Sequence, residues 1–492
     1  MFVFVAGSLP CKLRDAKGCS RNDMSYTATI NVRSCDRGCG TAIVEKNSTT
    51  STKIALYRWP VMREECAQKY CRSIAMATAV EIVPNPANEW RLDAPKVEGW
   101  VRDVRPGPNK HFMVSVDTHM TPPVKLFHER MDSKFHDLLP KIEKRENGER
   151  YIIMPGARPE RLIDFNFEGD DLVRSKSGAD LLAKDQDGTV ITGLTRIADQ
   201  DRDGVDAEVI FPNGAALLMW SSRNNEMVDA QAKVWNDWAM EQCAPFLHRC
   251  SPTAAICTAD IDLAVAEIER VAKLGYRILA LPNKPIFGEH DVNDINYNLP
   301  VFDRMWAAIQ DHDLAITYHV STGRDPRAAR GNGGAIINYV CHSLSPTIEP
   351  IVNMCASGIF ERFPKLRAAT IEADAGWVPW MMQKMDEAYL KHHFWVRPKM
   401  KNLPSDYYRS NCFASFGEDR AAVALVEEFN LENNFMWAND YPHHEGSWPY
   451  SAQALYRTLG NDLREETRAK LVGLNAARAF RFDIPEKYRA HS

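Results

Sequence analysis

Residues 260–281 read DIDLAVAEIERVAKLGYRILAL, and this segment contains a helix followed at once by a strand. Apolar residues recur at helical spacing up to residue 274, and Gly275 then offers the left-handed conformation in which many helices end. The short apolar run that begins at Arg277 has the length and composition of a buried strand. The segment therefore predicts one complete α/β unit.

The same order of elements extends along the chain in both directions. Further strands are predicted at 113–116, 207–211, 314–318, 366–371 and 434–438. Further helices are predicted at 218–246, 301–311, 348–360, 377–389, 449–459 and 463–480. Alternating strands and helices of this kind favour a parallel α/β architecture.

The first 75 residues differ from the rest in charge and cysteine content. They carry 12 Lys and Arg against 6 Asp and Glu, whereas the whole chain carries 60 against 65, and they hold six of the 12 cysteines. We predict an extension over residues 1–75, which is disordered or reflects a start assigned too early, with Met76 as the alternative initiator. Residues 76–110 are predicted to be a linker or N-terminal arm, and residues 111–485 the α/β domain.

The overall composition excludes two classes of protein. Hydrophobic residues make up 45% and charged residues 25% of the 492 residues, which is typical of globular chains. The net charge of −5 lacks the basic excess of nucleic-acid binders, and no apolar run approaches the roughly 18 residues that span a bilayer. On these grounds we expect no nucleic-acid or membrane partner. The remaining cysteines follow no disulfide spacing, so we predict a reduced, cytoplasmic protein.

Side chains that can bind a metal follow several of the predicted strands at or just after their last positions. Because the carboxyl ends of the strands converge on one face of a (β/α)8 barrel, such residues can meet around one ion. The pair in Asp-x-His shares a face, since the strand period is two. Each residue also has an ordinary structural alternative, as a hydrogen-bonded core histidine, a salt-bridge partner or a helix cap. The candidate ligands are Asp117, His119, His319, Glu372 and Asp440.

Five segments carry a resemblance to a known family. They are VDTHMTPP (116–123), DRDGVDAEVIFP (201–212), AITYH (315–319), SGIFERFPKLRAATIEADAGWVPW (357–380) and WANDYPHHEGSWP (437–449). These segments resemble the amidohydrolase-related family of metal-dependent TIM-barrel enzymes, which includes aminocarboxymuconate-semialdehyde decarboxylase. The resemblance implies a (β/α)8 TIM barrel over residues 111–485 with extra C-terminal helices. It also implies a homodimer.

The resemblance implies a divalent metal held by Asp117, His119, His319 and Asp440, with zinc expected first and iron or manganese as alternatives. Asp440 corresponds to the family's final-strand aspartate, which binds metal and handles the proton. Glu372 departs from the family, because the characterised decarboxylases have a histidine there. A carboxylate at this position adds a metal ligand and allows a second metal.

We therefore expect a metal-dependent hydrolase that uses metal-activated water on a C–N, ester, lactone or thioester carbonyl of a small organic substrate, aromatic or otherwise. The alternative is non-oxidative decarboxylation of an aromatic or enoic acid, which Glu372 disfavours because its charge repels a substrate carboxylate unless a cation intervenes. The third hypothesis is a metal-binding barrel without catalytic activity. The predicted catalytic residues are Asp440, Glu372 and His443, and the predicted substrate-binding residues are His342, Trp377 and Trp448.

Overall fold

The computed structural model divides the chain into two compact units, Met1–Asn85 and Pro86–Ser492. It describes residues 30–33, 41–44, 55–58, 111–123, 125–153, 159–162, 194–285, 295–322, 334–392, 400–443, 446–448 and 451–489. In the first unit, strands Ile30–Arg33, Thr41–Val44 and Ala55–Arg58 form an antiparallel sheet. The rest of the predicted extension and the linker to residue 110 lie outside the described residues.

Eight strands of the second unit form one parallel sheet in sequence order. They are β1 (Val114–Met120), β2 (Ala207–Pro212), β3 (Cys250–Ala255), β4 (Ile278–Leu281), β5 (Ala315–His319), β6 (Arg367–Ile371), β7 (Cys412–Phe416) and β8 (Phe435–Trp437). A parallel bridge between Thr118 and Tyr441 brings β1 against the segment that follows β8, so the barrel is nearly closed. This arrangement confirms the predicted (β/α)8 TIM barrel.

Helices occupy the connections between the strands. They are α1 (Leu194–Asp203), α2 (Asn225–Cys243), α3 (Ile261–Leu274), α4 (Asp303–Asp311), α5 (Gly334–Ala356), α6 (Val378–Lys391), α7 (Arg420–Leu425) and α8 (Ser451–Leu459). Shorter helices are Leu126–Arg130, Ile359–Arg362, Pro404–Asn411, Glu465–Ala469, Asn475–Phe480 and Glu486–Arg489. A small antiparallel sheet, Lys141–Lys144, Arg150–Ile153 and Glu160–Leu162, lies between β1 and α1 in the sequence. None of the helices among the described residues has the length and hydrophobicity needed to cross a membrane.

Residues 260–281 form the expected helix and strand. Asp260 caps α3 by accepting hydrogen bonds from the backbone N–H groups of residues 262 and 263, at 3.0 and 3.1 Å. Gly275 ends the helix with φ at 96°, a conformation that glycine adopts without steric cost. Ile268 and Val271 are fully buried, and burying each side chain contributes roughly 1.5–3 kcal/mol.

Several elements differ from the sequence-based expectation, and helices α1 and α7 and the small antiparallel sheet are among those not predicted. Strands β3 and β7 are missed, because CSPTAA and CFASF mix small and polar residues that show no strand periodicity although every residue is buried. Helix α5 begins at Gly334 rather than near residue 348, because Pro346 and Pro350 suggest a break that the helix nevertheless accommodates.

The C-terminal helices pack against the start of the barrel. The predicted helix at 463–480 contains a π-helical turn at Lys470–Leu474 between two α-helical segments. Gly473 lies in this turn, and a Cβ atom there would come within 2.0 Å of the Phe112 carbonyl oxygen. Only glycine therefore permits this close approach to the residues that lead into β1.

Candidate metal centre

Two buried side chains, Asp117 and His119, lie at the carboxyl end of β1 in the centre of the barrel mouth. The register of β1 against β2 shifts between Ser115 and Thr118, which marks an irregularity of the kind that re-aims side chains near functional sites. Asp117 and His119 are 1% and 0% exposed. The Asp-x-His spacing thus places two potential ligands together, as the sequence predicts.

The two central histidines are held so that the same ring nitrogen of each faces the other ligands. Nδ1 of His119 lies 3.3 Å from the Pro212 carbonyl oxygen, and Nδ1 of His319 lies 2.6 Å from that of Val320. A backbone carbonyl that accepts a hydrogen bond from Nδ1 leaves the Nε2 lone pair available to a metal. Both Nε2 atoms are near the Asp117 carboxylate.

Four of the predicted ligands form one group. Asp117 Oδ1 lies 3.1 Å from His319 Nε2 and 3.4 Å from His119 Nε2. On the other side, His319 Nε2 is 3.4 Å from Glu372 Oε2, and one ligand atom from each of the four residues lies within 4.8 Å of all the others. The residues come from β1, β5 and the turn after β6, so the barrel assembles a site that no local segment contains.

Asp440 belongs to an adjoining group with His119 and His443. Its Oδ1 atom lies 3.4 Å from His119 Nε2 and 2.8 Å from His443 Nδ1, and the rings of the two histidines stack with centroids 4.1 Å apart. Because one imidazole nitrogen binds one ion, the two groups compete for His119. A second metal stays a prediction.

Two of the carboxylates sit on backbone that favours glycine. Glu372 has φ at 57° and Asp440 has φ at 53°, and a non-glycine residue in this region costs of order 1–3 kcal/mol. Hydrogen bonds secure both positions: the N–H of Glu372 donates to Ser415 Oγ at 2.9 Å, and that of Asp440 donates to the Asp117 carbonyl at 3.1 Å. The fold therefore maintains strain at the two residues that aim carboxylates into the site.

The ionisable groups of the site strongly perturb one another. Burial acts to raise the pKa of Asp117, but His319 and His119 hold that pKa well below its usual range. Burial acts to lower the pKa of His119, yet the carboxylates of Asp117 and Asp440 raise it to about 10. The pKa of His443 is also raised, because Asp440 outweighs the effect of burial. The site thus favours positive charge at its centre.

The donor set fits a divalent cation. His119 Nε2 is buried and has no aligned hydrogen-bond partner, although carboxylate oxygens lie 3.4 Å away on two sides. Neighbouring ligands of an octahedral ion with bonds of about 2.2 Å are about 3.1 Å apart, close to the spacings here. Imidazole suits zinc and iron, and carboxylate suits manganese. The chain therefore has a divalent metal site, and its geometry does not single out zinc.

The residues predicted to bind substrate have different surroundings. The Trp377 indole N–H lies 3.0 and 2.9 Å from the carbonyl oxygens of Ala373 and Asp374, so Trp377 braces the turn that carries Glu372. The half-buried Trp448 ring lies 5.4 Å from that of Tyr441. His342 is within α5, but its side chain lies outside the described residues.

Several residues that shape the site were not predicted from the sequence. Asp419 accepts hydrogen bonds from the N–H groups of Ala375 and Gly376, at 2.9 and 2.6 Å, and thereby secures the turn after β6. Asn439 connects the Asp440 segment to Ser115 of β1 and to Asp203 of α1. The only local signals are that Asp419 precedes a helix and that Asn439 precedes Asp440.

Comparison with known proteins identifies the family of the chain. The family model described as Amidohydrolase matches residues 116–482. The chain belongs to the amidohydrolase family. The match extends from within β1 to just beyond the C-terminal helix Asn475–Phe480, and it confirms the resemblance carried by the sequence motifs. No curated protein sequence matches the chain.

Solved structures of other amidohydrolases and decarboxylases share the fold. An amidohydrolase from Mycobacterium avium subsp. paratuberculosis K-10 is 18% identical with a TM-score of 0.58, covering 75% of this chain and 99% of its own. The 5-carboxyvanillate decarboxylase from Sphingomonas paucimobilis is 22% identical with a TM-score of 0.53, covering 76% and 100%. That from Novosphingobium aromaticivorans, solved with bound manganese, is 16% identical with a TM-score of 0.54, covering 77% and 100%.

Proposed function

We propose that this amidohydrolase-family enzyme is a metal-dependent, non-oxidative decarboxylase of a small aromatic or enoic acid. The observation that carries the proposal is the pair of Asp440 and His443, in which Asp440 Oδ1 lies 2.8 Å from His443 Nδ1 beside the ligand group. Asp440 raises the pKa of His443, so the pair can hold a proton at neutral pH. Two of the structural neighbours described above are decarboxylases, which supports this reading over the hydrolase expected from the sequence.

The chemistry requires one proton and no redox partner. When bound, the divalent cation would hold the substrate carboxylate and offset the negative charge of the ligands. The bond between the carboxylate and the substrate carbon breaks, and its electron pair stays on that carbon. The pair of Asp440 and His443 supplies a proton to the carbon, carbon dioxide leaves, and solvent returns a proton to the pair.

The position of Glu372 prevents its negative charge from repelling a substrate carboxylate. Its Oε2 atom lies 3.4 Å from His319 Nε2, within the ligand group, so its charge is directed at the cation. Three carboxylates, a divalent cation and a protonated His443 together carry no net charge. A substrate carboxylate can therefore approach without facing an uncompensated anion.

Hydrolysis is the second candidate, because the same Asp440 could take a proton from water instead of giving one to carbon. A solvent isotope test separates the two. We would load the protein with Mn²⁺ and incubate it in D₂O with a panel of hydroxybenzoic and enoic acids, and with a parallel panel of esters, lactones and amides. Decarboxylation places one deuterium on the carbon that lost carbon dioxide, whereas hydrolysis places none on carbon.

Variants of the proton-donating pair complete this test. Asp440→Asn and His443→Gln should lower turnover by about 10²- to 10⁴-fold, the usual contribution of a general acid. His312→Gln, at the end of α4 and outside both ligand groups, should retain wild-type turnover. Turnover of the ester panel alone would support the hydrolase, and a metal-loaded protein inert toward both panels would support the non-catalytic barrel. The homodimer and the choice of a small organic substrate stay predictions.

A further inference from the structure

A buried polar network lies directly behind Asp440. Its centre is Asn439, which is 4% exposed and immediately precedes Asp440. Asn439 Oδ1 accepts hydrogen bonds from Ser115 Oγ at 2.8 Å and from the Tyr441 N–H at 3.3 Å. Its backbone N–H donates to Ser115 Oγ at 3.0 Å, and its carbonyl accepts from the Ser447 N–H at 2.9 Å. The residue before Asp440 is therefore secured on both its backbone and its side chain.

The other side of the Asn439 amide faces a carboxylate of helix α1. Nδ2 of Asn439 lies 3.3 Å from Asp203 Oδ2 and 3.3 Å from Ser451 Oγ. Asp203 Oδ1 accepts a hydrogen bond from the Ser451 N–H at 2.9 Å, and Asp203 Oδ2 accepts from the Ser451 hydroxyl. Because Ser451 begins α8, Asp203 connects α1, the Asp440 segment and α8 at one point.

Helix α1 supports the centre at a second point. Arg196 Nη1 donates to the His119 carbonyl at 2.9 Å, and the Tyr441 hydroxyl donates to Asp199 Oδ2 at 2.8 Å. Arg196, Asp199 and Asp203 are three or four residues apart, so they share one face of the helix. This polar face contacts the segments on either side of the ligand group.

We propose that Asn439 and Asp203 are positioning residues, which keep the Asp440 carboxylate 3.4 Å from His119 Nε2 and 2.8 Å from His443 Nδ1. The proposal deepens the proposed function, because it rests on Asp440 as metal ligand and proton carrier. Asp440 has its φ at 53°, a conformation that is uncommon for residues other than glycine. With a carboxylate at position 203, residue 439 has to be an amide, because one edge accepts from Ser115 while the other donates to Asp203.

The test exchanges the two groups. Asn439→Asp alone sets two carboxylates against each other. Asp203→Asn alone sets two amide groups together and leaves the Ser451 N–H and hydroxyl to share one amide oxygen. The double variant restores one amide facing one carboxylate, with the donor now at position 203. Each single variant should weaken Mn²⁺ binding by roughly 10- to 100-fold, as other supports of metal ligands do, and the double variant should return to within roughly threefold of wild type.

The control is a chemically matched pair elsewhere in the barrel. Asn236 is fully buried on α2, and its Nδ2 donates to Glu267 Oε1 at 2.7 Å. Asn236→Asp also sets two buried carboxylates together, so it should lower the melting temperature, yet it should change Mn²⁺ affinity by less than about twofold because it touches no ligand. Ser451→Ala is a milder variant that removes only the hydroxyl between Asp203 and Asn439, and it should weaken Mn²⁺ binding several-fold.

Titration calorimetry with Mn²⁺ and no substrate gives the readout, with thermal melting to establish that each variant is folded. Recovery in the double variant, together with unchanged affinity in Asn236→Asp, supports the proposal, because a general loss of stability would weaken metal binding in Asn236→Asp as well. Single variants that bind Mn²⁺ as tightly as Asn236→Asp does, or a folded double variant as weak as the singles, would overturn it. Failure of the proposed function appears differently, as wild-type protein that binds Mn²⁺ but decarboxylates nothing.

Discussion

At the scale of single residues, the centre is defined by an excess of carboxylate around histidine. Asp117 and Asp440 both lie 3.4 Å from His119 Nε2, and together they raise the pKa of His119 to about 10. In the metal-free protein at neutral pH, His119 therefore carries a proton at the position where a cation belongs. The proton on His119 and a bound metal ion therefore exclude each other.

This charge state predicts that metal binding releases a proton. A metal ligand must be neutral imidazole, so Mn²⁺ has to displace the His119 proton at every pH below about 10. We expect release of about one proton per ion at pH 7, and affinity that rises with pH until His119 titrates. Titration calorimetry in buffers of different ionisation enthalpy measures this release directly. Proton-independent binding between pH 6 and 8 would contradict the assignment of His119.

Glu372 shows how a carboxylate is accommodated beside the ligand group. The carboxylate lies 3.4 Å from His319 Nε2, on backbone whose φ of 57° is unfavourable for glutamate. Ser415 accounts for part of this conformation by accepting the Glu372 N–H at 2.9 Å. The residue is thus oriented toward the ligand group instead of standing apart as a neighbouring anion.

At the scale of elements, the turn after β6 depends on the loop after β7. Asp419 has two tasks: its Oδ1 accepts the Ala422 N–H at 3.0 Å and caps α7, and its Oδ2 holds the N–H groups of Ala375 and Gly376. Gly376 has no room for a side chain, since a Cβ atom would lie 3.0 Å from the Asp419 carboxylate. Through this contact α7 and the Glu372 turn are one structural unit.

A pair of helix-cap variants separates the two tasks. Asp419→Ala and Asp260→Ala each remove an N-cap, which should cost about 1 kcal/mol of unfolding free energy, and Asp419→Ala also loses the hydrogen bonds from Ala375 and Gly376. Only Asp419→Ala also releases the turn that carries Glu372, so only it should weaken Mn²⁺ affinity, by roughly tenfold. Denaturant unfolding and metal titration of both variants give the comparison. Equal metal affinity in the two variants would show that Asp419 acts only as a cap.

At the scale of the whole molecule, the candidate ligands connect strands that are far apart in the sequence. Asp117 and His119 come from β1, His319 ends β5, Glu372 follows β6 and Asp440 follows β8. The same region closes the barrel, because the His119 N–H donates to the Tyr441 carbonyl at 2.7 Å. An ion bound here therefore joins the first and last strands of the sheet.

Metal should accordingly stabilise the whole barrel. At a free Mn²⁺ concentration of 100 times the dissociation constant, binding adds about 2.7 kcal/mol to the free energy of unfolding. The melting temperature should rise by several degrees with Mn²⁺ and fall on addition of a chelator, whereas Asp117→Asn should show a smaller rise. Calorimetric scans of both proteins with and without metal test this. An unchanged wild-type melting temperature in saturating Mn²⁺ would contradict a site shared among the strands.

The resemblance to the amidohydrolase-related family implied the barrel, and the sequence by itself determined the repeating α/β units and the five acidic and histidine residues at strand ends. It could do so because helix periodicity, the cap at Gly275 and the period of two in Asp117-x-His119 are local properties of the chain. Strands β3 and β7 escaped prediction because their burial comes from neighbouring elements and leaves no periodic pattern.

Only the tertiary structure decided how the ligands are grouped and supported. Asp440 pairs with His443 while Glu372 joins Asp117 and His319, and nothing in their sequence positions distinguishes these roles. The supports, Asp203 with Asn439 and Asp419 with the Glu372 turn, connect residues as far as 236 positions apart. Such contacts depend on closure of the barrel, which brings distant hydrogen-bond donors and acceptors together in a buried space where each must find a partner.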